Sequence, residues 1–199
     1  MNRSVASFYW GRLGKAPRVL DLGCGMGGLG QFRPPDTKVF GVDLESSRSA
    51  RVRQHEFLTI CDLDQRGSLP FADRTFDAVV AKDILEHLQR PWLIVKDICR
   101  VLRPGGKVLA SVICENPACI ANDYTHVRGF TRTSARALFE DAGLSVIDVW
   151  RMGPLPLASR FGAIAAVPHI LRIPGISRLF TSSYEILAVL QEPPSQLGG

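Results

Sequence analysis

Residues 19–30 read VLDLGCGMGGLG: an apolar run from Val19 to Leu22, carrying one acid at Asp21, breaks into a cluster of glycines. Gly23, Gly25 and Gly28 satisfy the spacing G-x-G-x-x-G, which in a dinucleotide enzyme cradles a pyrophosphate. Glycines at a strand-to-helix turn let the backbone come close to a ligand, so the stretch marks a binding loop without naming its guest.

Working outward, the run RVLDLG (18–23) has counterparts in KVFGVDL (38–44), TFDAVVAK (75–82) and KVLASVI (107–113). Each is short, rich in β-branched residues and lacks strict alternation, as in a parallel sheet covered on both faces. Between 91 and 103, Ile94, Val95, Ile98, Val101 and Leu102 line one face of a helix. Pro91 suits its first turn, and Arg103-Pro104-Gly105-Gly106 supplies a stop. A second helix is expected from Thr133 to Ala142, closed by Gly143. Alternation of strand and helix from 18 to about 150 predicts an α/β, Rossmann-like fold whose ligand crevice lies beyond the carboxyl ends of the strands.

The chain has 199 residues, 46% apolar and 22% charged, which suits one globular domain and excludes global disorder. That domain is expected over 1–192, opening with a helix within 1–17 and followed by a disordered tail, 193–199. No run of about 18 uncharged apolar residues signals a spanning helix. The first residues, MNRSVASFYWGRLG, lack the apolar core of a secretion signal. Five scattered cysteines without a C-x-x-C fit no zinc pattern, so no metal is expected and a reducing, cytoplasmic setting is. The formal charge of +5 is compatible with nucleic acid, an anionic membrane surface or simple solubility.

Asp21 decides between guests for the glycine turn. A carboxylate at the strand tip repels a pyrophosphate and attracts a cation such as the sulfonium and ammonium of S-adenosylmethionine. Asp43 ends the second strand, where it can accept from both ribose hydroxyls of either cofactor. Asp62 ends the third, where it can bind an adenine amino group while the Leu63 amide meets a ring nitrogen. Each acid also has a structural reading: Asp21 as a helix cap, Asp43 as a turn residue, Asp62 as one acid of a polar loop. A nicotinamide-dependent oxidoreductase stays open if Asp21 tolerates phosphate.

Asp21-Leu22-Gly23-Cys24-Gly25, Asp43, Asp62-Leu63, LPFADRTFDAVVA, ILEHL and RVLRPGGKVL together resemble the successive motifs of class I S-adenosylmethionine-dependent methyltransferases, in particular the compact bacterial, type 11-like enzymes of small molecules. The resemblance covers about 18–150. It implies a seven-stranded sheet whose last strand, YEILAVLQ (184–191), runs antiparallel. It also implies that Asp21, Gly23, Cys24 and Gly25 line the methionine moiety, Asp43 and Leu44 the ribose, and Asp62 and Leu63 the adenine. Ala81 and Lys82, after the fourth strand, and His87 are implied to lie near the cofactor.

Methyl transfer to a hydroxyl or carbon needs a base; other acceptors need mainly alignment. The segment 115–144 holds Asp123, Tyr124, His126 and Arg128. His126 is the candidate base, against a structural role tying the loop to the next helix, and Tyr124 and Arg128 are candidate substrate contacts. His87 reads as cofactor lining or packing, and His55 and His169 receive no role. The expected substrate is a small molecule such as a sugar, quinone or lipid-like compound. The segment 151–183 is apolar and proline-punctuated, with Arg151, Arg160, Arg172 and Arg178 and no acid. It reads as a lid, as core packing or as a peripheral membrane contact. Aromatic residues do not interleave with its arginines, which argues against nucleic acid. A non-catalytic module that binds the same cofactor is the alternative of a different class.

Overall fold

A computed structural model of the chain describes residues 1, 3–44, 57–152 and 182–191. Seven strands form one sheet: β1 (Arg18–Leu22), β2 (Lys38–Asp43), β3 (Phe57–Ile60), β4 (Phe76–Lys82), β5 (Leu102–Ile113), β6 (Leu144–Met152) and β7 (Ser183–Leu190). Their order is β3-β2-β1-β4-β5-β7-β6. The pairs β1–β2, β1–β4, β2–β3 and β4–β5 are parallel, while β7 runs antiparallel to both β5 and β6. Strand order reverses between β1 and β4, so the crevice of an open α/β sheet falls at the ends of those two strands.

The covering helices are α1 (Arg3–Leu13), α2 (Leu63–Arg66), α3 (Pro91–Val101), α4 (Pro117–Ala121) and α5 (Arg132–Glu140). Because side chains alternate along a strand, each contributes to two cores. Val19, Val39, Ala78, Val80 and Leu109 pack under Tyr9, Trp10 and Leu13 of α1. Leu20, Leu22, Val79 and Ala81 pack on the other face, with Ile94, Val95 and Ile98 of α3 and Phe139 of α5. The chain leaves α1 through Gly14, whose φ of 69° puts it in the left-handed region after the last helical turn.

Three boundaries differ from expectation. The helix from Pro91 ends at Val101, and Leu102 already belongs to β5. The breakers at 104–106 form an irregularity within that strand, whose register jumps from Phe76↔Leu102 to Ala78↔Lys107. Ala81 and Lys82 lie within β4 and form its end, since β-branched Val79 and Val80 carry the strand through to them. The third concerns the glycine turn: residues 23–29 form successive turns, and only a single 3-10 turn, Gly30–Phe32, follows. Pro34 and Pro35 stand where a helix would continue. None of the five cysteines is in a disulfide. The proposed lid lies outside the described residues over 153–181, as do the tail, His55 and His169.

Candidate active site

At the carboxyl end of β1 the chain doubles back over β2. The amides of Gly23 and Cys24 both donate to the Val42 carbonyl, at 2.9 and 3.1 Å. Gly23 and Gly25 hold φ of 65° and 48°, which bulkier residues adopt only with strain. Asp43, at the tip of β2, accepts from the Gly25 amide at 2.7 Å and so closes the turn. Asp21 is 4% exposed within β1. Burial, followed by the Asp21 and Asp43 carboxylates, pushes the Cys24 thiol up to about 12. Cys24 is therefore a neutral, inert wall of the turn.

This geometry weighs against a dinucleotide. A diphosphate is held by amides at the start of a helix, where the macrodipole favours negative charge. Here no α-helix follows the glycines, and two carboxylates flank the turn. The field at its mouth favours a cation.

Asp62 caps α2. Its Oδ1 accepts from the amides of Asp64 and Gln65, both at 3.0 Å. Asp62 is thus a helix cap, and its Oδ2 stays uncommitted to that cap. Leu63, at the first position of α2, is buried, whereas Leu44 is exposed. Asp64 ties α2 to the next layer by accepting from the Gln89 amide at 2.9 Å.

Across the switch point, β4 ends at Lys82, which pairs with Asp83. Asp83 has φ of 52° and accepts from the Ser111 hydroxyl at 2.6 Å. A 3-10 turn, Leu85–His87, then carries His87. Glu86 is 1% exposed, and its Oε2 has no hydrogen-bond partner. Burial pushes its carboxyl up to about 7, although Lys82 favours the charged form. Burial also lowers His87, and His126 lowers it further.

The loop after β5 crosses this turn. The Val127 amide donates to the Glu86 carbonyl at 3.0 Å, and the rings of His87 and His126 lie 4.8 Å apart. Glu86, His87 and His126 bring one nitrogen or oxygen each within 4.8 Å of one another. Sequence spacing singled out both histidines but missed Glu86, because an acid between Leu85 and His87 carries no sign of burial. Its neighbours do: Leu85 and Leu88 are both core residues.

The candidate substrate contacts fare differently. Tyr124 is 98% exposed, so the described residues build no pocket around it. Arg128 donates to the Gln89 carbonyl at 2.7 Å, and its guanidinium stands 5.8 Å from the centre of the Trp92 ring. Arg128 thereby fastens the loop to the start of α3. His126 Nδ1 sits 3.2 Å from the Ile120 carbonyl, which ties the loop locally while its Nε2 faces elsewhere. A shallow cleft at the opposite edge of the sheet is lined by Leu13, Asp77 and Arg103, but Asp77 is already bonded to Arg103 and to the Arg18 amide.

Residues 20–110 match the family described as methyltransferase domain. A ubiquinone biosynthesis O-methyltransferase of Pseudomonas paraeruginosa is 31% identical over 164 residues, 72% of this chain and 71% of the relative. The chain belongs to the class I S-adenosylmethionine-dependent methyltransferases. Phosphoethanolamine N-methyltransferase 1 of Triticum aestivum is 29% identical over 63% of the chain, which spans 28% of that relative. The chain thus spans less than a third of the length of such relatives. Among solved structures, the Burkholderia thailandensis 1,6-didemethyltoxoflavin-N1-methyltransferase, with its substrate and S-adenosylhomocysteine bound, superposes with a TM-score of 0.67. It is 19% identical and aligns 96% of this chain with 78% of that one. The [4+2]-cyclase SpnF superposes at 0.71, also with 19% identity, over 96% and 82%. These two likenesses show the methyltransferase fold. No helix among the described residues is long and apolar enough to cross a membrane.

Proposed function

We propose that this domain transfers a methyl group from S-adenosylmethionine to a hydroxyl of a small molecule. The observation that carries it is a carboxylate-flanked glycine turn after β1 and a pair of histidines in the loops after β4 and β5, at the same end of the parallel strands. Asp21 and the turn would hold the methionine moiety, Asp43 the ribose hydroxyls, and Asp62 with Leu63 the adenine edge. The O-methyltransferase relative supports a hydroxyl acceptor, whose proton needs a base; His126 supplies one through the nitrogen that Ile120 does not engage. The enzyme otherwise aligns acceptor oxygen, methyl carbon and sulfur and excludes water. A small apolar or lipid-like acceptor and a cytoplasmic setting complete the proposal.

Melting curves with S-adenosylmethionine, S-adenosylhomocysteine and NAD test the cofactor. The first two are expected to raise Tm and NAD to leave it unchanged, because only a ligand of the native state stabilises. Asp43→Ala is expected to weaken the cofactor about tenfold by calorimetry, roughly 1.4 kcal/mol, through lost hydrogen bonds to a charged group. Stabilisation by NAD alone would overturn the reading. Cofactor binding without turnover across a panel of phenols, sugars and amino alcohols would leave a binding module in its place.

A further inference from the structure

Glu86, His87 and His126 present an unusual problem of charge. A carboxylate that is 1% exposed, with one oxygen unpartnered, costs free energy unless something positive meets it. Lys82 helps from the end of β4, yet it pairs with Asp83. The two histidines beside it are not free to turn either, and their hydrogen bonds determine which nitrogen carries a lone pair.

The Thr125 hydroxyl has one proton. It lies 2.6 Å from Asp123 Oδ1, an acceptor only, and 2.9 Å from His87 Nδ1. The proton goes to Asp123, so the hydroxyl oxygen accepts from Nδ1–H of His87. Asp123 is held in place in turn by the Thr125 amide at 2.9 Å. At His126 the partner of Nδ1 is the Ile120 carbonyl, which can only accept, so Nδ1 carries the proton there too. In their neutral forms both imidazoles therefore present Nε2 with a lone pair. A hydrogen bond from the far ring nitrogen to a carbonyl, or to a hydroxyl backed by a carboxylate, is the arrangement that orients metal-ligating histidines.

We infer that Glu86, His87 and His126 form a binding site for one divalent transition-metal ion, with positions left open to a ligand. Two imidazoles and one carboxylate suit zinc, manganese or ferrous iron and supply three of the four or more positions such ions take. Bonds of about 2.1 Å in a tetrahedral site place donors about 3.4 Å apart, so side chains now within 4.8 Å must draw in by up to roughly 1.4 Å. The cysteine spacings that argued against a metal have no bearing on this cluster, which contains no cysteine.

The site stands independently of the proposed methyl transfer, since an ion binds whether or not a methyl moves. If both hold, a hydroxyl coordinated at an open position would be acidified and would lose its proton to solvent, with His126 serving as a ligand rather than as the base.

Cobalt(II) titration of chelator-treated protein, followed by visible absorption and calorimetry, tests the inference without cofactor or turnover. One ion per chain is expected, with d–d bands and no thiolate charge-transfer band. His87→Ala and His126→Ala are each expected to lower affinity at least tenfold. Glu86→Gln is expected to do the same while leaving the metal-free Tm unchanged or higher, because it removes a buried charge and keeps the shape. A merely structural Glu86 would instead lose Tm without altering cobalt affinity. No binding at millimolar cobalt, a thiolate band, or binding indifferent to all three substitutions would each overturn the site. None of these outcomes bears on S-adenosylmethionine binding, so the two proposals fail separately.

Discussion

Gly129→Ala is expected to lower the stability of the domain by about 3 kcal/mol, read as a fall in Tm of roughly 6–12 °C. A β-carbon at this position would lie 2.5 Å from the Cys114 carbonyl oxygen, 2.9 Å from the Glu115 α-carbon and 2.8 Å from Ile120 Cδ1. Two of these three neighbours are backbone and cannot rotate away. The close approach exists because the loop after β5 returns to it: Cys114 and Phe130 form a parallel bridge, and the Phe130 amide donates to the Ile113 carbonyl at 2.9 Å. Pushing the two segments apart strains that bridge and moves His126, three residues upstream. Cofactor affinity should change less than cobalt affinity, because the glycine turn is on the other side of the switch point. Gly11→Ala is the control. Nothing lies within 4 Å of its added carbon, in the interior of α1, so Tm should hold or rise slightly. Equal melting of Gly129→Ala and the parent would show that the loop yields freely.

That contrast also shows what a sequence makes visible. The sheet was legible because β1, β2, β4 and β5 are buried on both faces, and such strands read as continuous apolar runs. The antiparallel β7 was legible only through family resemblance, since the run YEILAVLQ carries no mark of direction. Asp43 was legible as the acid ending a strand; that it braces Gly25 was not, because a turn's internal hydrogen bonds depend on how it folds back. His126 and His87, 39 positions apart, could be named singly but not joined. Their meeting depends on the parallel placement of β4 beside β5, which puts the loops after both strands at one edge. Tyr124 shows the converse. A polar aromatic in a loop on the cofactor side reads as a contact, yet its side chain points into solvent. Arg128 reads the same way, and its bond to the Gln89 carbonyl beside α3 could not be foreseen.

The second large effect concerns the helix that covers the other face of the sheet. The Tyr9 hydroxyl of α1 donates to Glu185 Oε2 of β7 at 2.5 Å, and the two residues are 1% and 4% exposed. Burial, then Glu185, raises the phenol well above its ordinary value, so it remains the donor. Burial also raises the Glu185 carboxyl, while Tyr9, Lys82 of β4 and Ser111 of β5 favour its charged form; Glu86 repels it from the site. Tyr9→Phe removes one donor and leaves the carboxylate in place, an expected cost of about 3 kcal/mol at pH 8. The sign with pH follows from linkage. A carboxyl whose folded value lies above its unfolded value binds protons more readily in the folded state, so its contribution is fully present below the unfolded value of about 4.3 and is lost as pH rises through the folded one. Removing the phenol raises the folded value further. The deficit of Tyr9→Phe should therefore grow between pH 5 and pH 8, as read from urea unfolding at both. Glu185→Gln in the same background should recover part of it, because a neutral amide tolerates that burial better than an unpaired carboxylate. A deficit of equal size at both pH values would mean that Glu185 is protonated throughout and that α1 is held over the sheet by packing alone.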